Sequence, residues 1–163
     1  MNRKPPFALT LVLSAVLAFE APASAASCWS PDAIGAARLR EFEVMLMAVT
    51  MRCNRMGFNL QQSFDQFRVM QKRALEVAET KLRAHFGINA ERSGRLDYDR
   101  FLTSLGNFYG TGKTDGQSCT MFQMVATELG KPSATMDHFA DIAMQMIRDP
   151  KIETARCAPS AKK

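Results

Sequence analysis

Apolar positions recur at helical spacing along nearly the whole chain. Leu39, Phe42, Leu46, Val49, Cys53 and Met56 step by three or four residues, the spacing of one helix face. Val44, Met47 and Met51 form a second stripe on another side. This first helix is therefore expected to be buried on more than one face and to sit centrally. Ser30-Pro31-Asp32 marks its start: serine can cap, proline fits the first turn, and aspartate suits the positive helix end. Gly57 marks its stop. A second helix is expected from Leu60 to Phe86, stopped by Gly87, with Phe64, Phe67, Leu75, Ala78 and Leu82 on its apolar side. Residues 88–95 read as a polar turn around Ser93-Gly94. A third helix carries Tyr98, Phe101, Leu102, Leu105, Phe108 and Tyr109. A fourth is expected from Ser118 to Leu129, and a fifth from near Ser133. The fifth ends before Asp149-Pro150, because the residue preceding proline avoids helix. No strand pattern, repeat or low-complexity tract interrupts this series. The expected class is all-α, a disulfide-tied bundle of four to five helices.

The N-terminus departs from the amphipathic pattern. Asn2-Arg3-Lys4 is basic, Phe7–Phe19 is almost wholly apolar, and Ala23-Ser24-Ala25 supplies small residues. That order is the pattern of a secretory signal peptide, with cleavage expected after Ala25. The apolar run is shorter than the ~20 residues a membrane span needs. The alternatives are an uncleaved anchor and, because Cys28 follows closely, a lipoprotein anchored at that cysteine. The division expected is a signal peptide at 1–25 and one helical domain at 26–163, with a polar tail from about 149. The mature chain is expected in the periplasm or secreted, without a transmembrane segment.

Export changes the meaning of the cysteines. Cys28, Cys53, Cys119 and Cys157 are an even set, which in an oxidising compartment suggests two disulfides. A helix from residue 31 to Cys53 is roughly 33 Å long at 1.5 Å per residue. Bonded cysteines need Cα atoms within about 4.4–6.8 Å, so Cys28–Cys53 is rejected. Helices running up, down and up place Cys53 and Cys119 at the same end. The expected pairs are Cys53–Cys119 and, by elimination, Cys28–Cys157. None belongs to a Cys-x-x-Cys pair, which argues against a thioredoxin-like site and against a four-thiolate zinc site.

Charge adds little. The formal net charge is +5, and the charges are interspersed, as in Arg38, Arg40, Glu41 and Glu43. This suits a solvated mixed surface better than a nucleic-acid stripe. The stretch Tyr109-Gly-Thr-Gly-Lys-Thr-Asp-Gly116 looks like a phosphate loop. With Gly112-Lys113-Thr114 aligned to Gly-x-x-x-x-Gly-Lys-Ser/Thr, the first glycine position holds Asn107. A helix precedes the stretch where the motif requires a strand, so no nucleotide is expected and the segment reads as a flexible turn.

Methionines crowd the first helix (Met45, Met47, Met51, Met56) and the last (Met136, Met144, Met146). Core packing is the bland reading; an adaptable groove beside Met47 and Met51 is the functional one, and copper the remote one. Asp137, His138 and Asp141 could form half a metal site, and Asp97-Tyr98-Asp99 opens like a calcium loop. Neither has the remaining ligands. His85 falls in a last helical turn, where an imidazolium would suit the negative end. Candidate acids for a hydrolase are Glu41, Glu43 and Glu128, and no Ser/His/Asp or Cys/His arrangement is identifiable.

Cys28-Trp29, Ala36-Ala37-Arg38-Leu39-Arg40, Met45-Leu46-Met47, Met51-Arg52-Cys53, Tyr98-Asp99-Arg100-Phe101, Ser104-Leu105-Gly106-Asn107, Tyr109-Gly110 and Cys119 together resemble a group of small exported four-cysteine helical proteins of alphaproteobacteria. The resemblance covers most of residues 26–163 and brings no catalytic residue with it. The functional expectation is an exported, non-catalytic binding or structural module of the bacterial envelope, without a cofactor. Its partner would be an unknown protein, peptide or apolar ligand. The alternatives are a cell-wall-directed hydrolase and a periplasmic stress chaperone.

Overall fold

Ser30 accepts a hydrogen bond from the Ala33 amide at 3.2 Å, and Pro31 opens the first helix behind it. In the computed structural model, which describes residues 28–87, 92–153 and 156–157, this helix is α1 (Pro31–Arg55). The expected signal peptide at 1–25 lies outside the described residues, as do residues 26–27, residues 88–91 of the expected turn, and residues 154–155 and 158–163 of the expected tail. Gly57 ends α1 with φ 88°, the left-handed conformation that glycine adopts without a Cβ clash. Asn54 then accepts from the Leu60 amide at 3.0 Å and leads into α2 (Gln61–Met70).

The expected long second helix is two helices. α3 spans Lys72–His85, and Gln71 stands between α2 and α3 with φ −94° and ψ 12°. The side chain of Gln71 explains the break. It is buried, and its amide donates to the carbonyls of Leu129 (3.0 Å) and Ala134 (3.1 Å). A tertiary tie thus overrides a continuous helical pattern. Gly87, at φ 66°, ends α3 as expected.

α4 covers Arg92–Gly110, so residues 92–95 of the expected turn are helical. α5 (Gly116–Leu129) begins two residues before the expected Ser118, because Asp115 caps it by accepting from the Ser118 amide at 2.7 Å. α6 (Met136–Met146) begins after the expected Ser133, capped by Thr135 accepting from the His138 amide at 3.1 Å. Among the described residues there are six helices and no strand; an isolated bridge joins Trp29 to Arg156.

α1 is central and packs against each of the other five helices. All of residues 41–46 are buried, which a surface helix would not tolerate. One core cluster centres on Phe42, Phe67 and Phe139, whose rings meet edge to face at 5.3–5.9 Å. A second gathers Trp29, Tyr98, Phe101 and Leu105 around the start of α1. Both expected disulfides are present. Cys53–Cys119 closes a separation of 66 residues and is buried; Cys28–Cys157 spans 129 residues and joins the chain ends. No helix among the described residues is long and apolar enough to cross a membrane.

Candidate functional site

A trough of about 290 Å³ runs over the N-terminal half of α1, between α3 and α6. Its floor is one face of α1: Asp32, Gly35, Ala36 and Leu39 follow the i, i+3, i+4, i+7 spacing that aligns residues on a helix. Its walls are short where they meet the floor, with Ala74 and Ala78 on α3 and Ala140 on α6. Such stubs let both helices approach α1 while leaving the space between them unfilled. A Cβ added at Gly35 would meet nothing within 4 Å.

Longer apolar side chains rim the trough. Met136 and Met144 on α6 are 45% and 51% exposed, and Val77 on α3 is 39% exposed. Met136, Ala140 and Met144 lie four residues apart, on one side of α6. The other side of α6 is the anchor. Phe139 and Ala143 are fully buried in the phenylalanine core. At the C-terminal end of α6, Arg38 donates from Nε to the Ile147 carbonyl at 2.8 Å and from Nη2 to the Arg148 carbonyl at 3.4 Å. Those carbonyls have no partner within the helix, so the guanidinium fixes that end against α1.

The charges at the trough are unequally engaged. Lys81 pairs with Asp32 at 3.0 Å, and Arg38 is held by the two carbonyls. Asp137 and Asp141, one turn apart on α6, carry no ion pair among the described residues. His138, between them, is exposed and does not line the trough, and no group of three or more His, Cys, Asp or Glu among the described residues could hold a metal.

Two further concavities have different chemistry. One, of about 470 Å³, is lined by charged residues of α1, α2 and α3 that already pair with one another. Glu43 accepts from Arg40 at 2.5 Å and lies 3.2 Å from Arg68, and Arg83 pairs with Glu79 at 2.8 Å. Most of its charges are thus engaged, although the buried Arg40 Nε has no hydrogen-bond partner among the described residues. The other, of about 430 Å³, lies along α5, where Glu128 pairs with Lys131 at 2.5 Å.

The three candidate acids are not brought together. Glu41 and Glu43 are two residues apart on α1 and so face nearly opposite sides of it. Glu41 is buried and accepts from the Tyr109 hydroxyl at 2.6 Å and the Lys151 amide at 2.7 Å. Burial raises its pKa above 4.5, against the lowering effect of those two hydrogen bonds. Glu128 lies on α5, where Lys131 holds its pKa down.

Met47 and Met51 stand on α1 at 41% and 47% exposure and line none of these concavities. Met47 and Met51 therefore leave the expected second buried stripe, of which Val44 alone is buried. His85 stacks on Trp29 with ring centroids 4.0 Å apart, and burial lowers its pKa. The expected imidazolium at that helix end is thus disfavoured. Tyr109–Gly116 is not a loose turn. Arg52 donates to the Tyr109 carbonyl at 2.5 Å and to the Thr114 hydroxyl at 2.7 Å, tying the segment to α1.

The apolar periodicity picked out Ala78 but not Gly35, Ala36, Ala74 or Ala140, because small residues are neutral in such a pattern. One signal was present: a glycine in the second turn of a strongly capped helix, which costs about 0.5–1 kcal/mol relative to alanine. No family model, curated protein or solved structure matches this chain.

Proposed function

We propose that this chain is an exported, non-catalytic helical binding module of the bacterial envelope, and that the trough over Gly35 is its binding surface. The observation that carries the reading is the open floor. Glycine weakens a helix interior, and no neighbour of Gly35 requires its absent side chain. An occupant that lies against α1 does require it. The flexible, polarizable methionines at the rim suit such an occupant, since they repack around different shapes. The leader pattern at 1–25 and the two disulfides support export.

The test is uptake of N-phenyl-1-naphthylamine, a neutral apolar fluorophore. The wild-type protein is expected to bind it and to brighten its emission. Gly35→Phe fills the trough without meeting a neighbour at its Cβ, and is expected to abolish binding with the melting temperature retained. Equal uptake by both proteins, or none by the wild type, overturns the reading.

A further inference from the structure

We propose that the occupant of the trough is a cationic amphipathic helix of a partner protein, an inference that rests on the trough being the binding surface. The first argument concerns the backbone. The floor and walls are all α-helix, so they offer no continuous row of free N–H and C=O groups, only the few unpaired ones at the helix ends. An extended peptide needs an open sheet edge to pair its own backbone. A buried segment without one must satisfy its polar groups internally, which a helix does.

The second argument concerns size. About 290 Å³ lies near the lower end of the ~300–1,000 Å³ of ligand clefts. That space accepts a few aliphatic side chains projecting from one helix face, at i, i+3 or i+4, and i+7.

The third argument is charge. Lys81 and Arg38 are occupied by Asp32 and by the carbonyls ending α6. Among the described residues Asp137 and Asp141 are the trough charges without an ion pair, and they run against the chain's net charge of +5. Their spacing of four residues places both carboxylates along one flank of an incoming helix, where lysine or arginine would meet them.

Three synthetic amphipathic peptides test this. They share one leucine face and carry flanking lysines, glutamines or glutamates. Binding to the full exported protein is read by fluorescence anisotropy. The lysine peptide is expected to bind tightest and to weaken with salt, as screening shortens the reach of its charges. Asp137→Asn with Asp141→Asn is expected to weaken it about 3- to 10-fold, the range of two partly exposed ion pairs, while the glutamine peptide is unaffected. Gly35→Phe is expected to abolish binding of every peptide. Equal binding of the lysine and glutamine peptides, both lost in Gly35→Phe, overturns the cationic partner and leaves the trough standing. Tightest binding of the glutamate peptide has the same meaning. Peptide binding that survives Gly35→Phe overturns trough and partner together; no binding by any peptide, with fluorophore uptake still lost in Gly35→Phe, overturns the helical partner and leaves the trough standing.

Discussion

Tyr109 on α4 donates its hydroxyl to the buried carboxylate of Glu41 on α1 at 2.6 Å, across 68 residues of sequence. The second carboxylate oxygen accepts the Lys151 amide at 2.7 Å. One side chain of the central helix therefore fixes both α4 and the segment after α6.

The pH dependence of this tie is predictable in sign. Burial raises the folded pKa of Glu41 above 4.5, more than its hydrogen bonds from Tyr109 and Lys151 lower it. The folded protein holds this proton to higher pH than the unfolded chain does. Its stabilising contribution is complete below the unfolded value and is lost as pH rises through the folded one. Glu41→Gln keeps the geometry: its oxygen can accept from Lys151, and its amide can donate to a reoriented Tyr109 hydroxyl. Thermal melts between pH 4.5 and 8 are expected to show the wild type losing stability relative to Glu41→Gln as pH rises. A constant gap would remove this account. Tyr109→Phe leaves a buried carboxylate oxygen short of a donor and is expected to cost about 1.5–3 kcal/mol.

Two glycines are expected to respond to alanine in opposite directions. Gly35 has open space around a new Cβ, so Gly35→Ala is expected to stabilise by about 0.5–1 kcal/mol through helix propensity. At Gly94 on α4 a Cβ would collide with the Phe86 carbonyl oxygen and lie 3.0 Å from the Gly87 backbone. Backbone cannot swing aside as a side chain can, so Gly94→Ala is expected to destabilise by several kcal/mol, or about 3 at the least. Urea denaturation of both variants decides it. A destabilised Gly35→Ala would show that the trough floor needs glycine for packing.

These features differ in how far the chain announces them. The disulfide pairing was legible because helix length is a ruler: a chain that climbs from Pro31 to Cys53 cannot return to Cys28 in three residues. The stops at Gly57 and Gly87 were legible because positive φ is a local property. The break at Gln71 was not, because apolar spacing continues through it from Phe67 to Leu75 and the cause lies at Leu129 and Ala134. Burial of Glu41 was equally hidden, since Tyr109 and Lys151 are distant in sequence. Methionine misled at Met47 and Met51, because an apolar stripe says nothing about which neighbours arrive to cover it. The trough is a shape made from missing side chains, and only the assembled helices show it.

The two disulfides are expected to open in order. Cys28 is exposed, whereas Cys53 and Cys119 are fully buried beside Val49 and Leu60. A thiolate must reach a sulfur to attack it. Graded dithiothreitol followed by iodoacetamide and mass analysis is expected to label Cys28 and Cys157 first. Labelling of Cys53 and Cys119 is expected only as the fold melts. In the chain-entropy account, opening the 66-residue and 129-residue separations costs about 4 and about 5 kcal/mol. Simultaneous labelling of all four cysteines would contradict the ordering.

Gln71 is the most demanding test of the packing, because apolar replacement would ordinarily be harmless in so buried a place. Its amide donates to Leu129, the last residue of α5, and to Ala134 in the turn before α6. The Leu129 carbonyl belongs to the last turn of α5, whose carbonyls lack intrahelical N–H donors. Gln71→Leu conserves much of the volume yet strands both carbonyls away from water. Each unpaired buried group costs about 1–3 kcal/mol, so a loss of at least about 2 kcal/mol is expected in urea denaturation. Gln71→Glu is expected to do worse near neutral pH, since a carboxylate offers these carbonyls no proton, and to recover partly in acid. If Gln71→Leu matched the wild type, the glutamine would be a passenger at the break, and α2 and α3 would part for another reason.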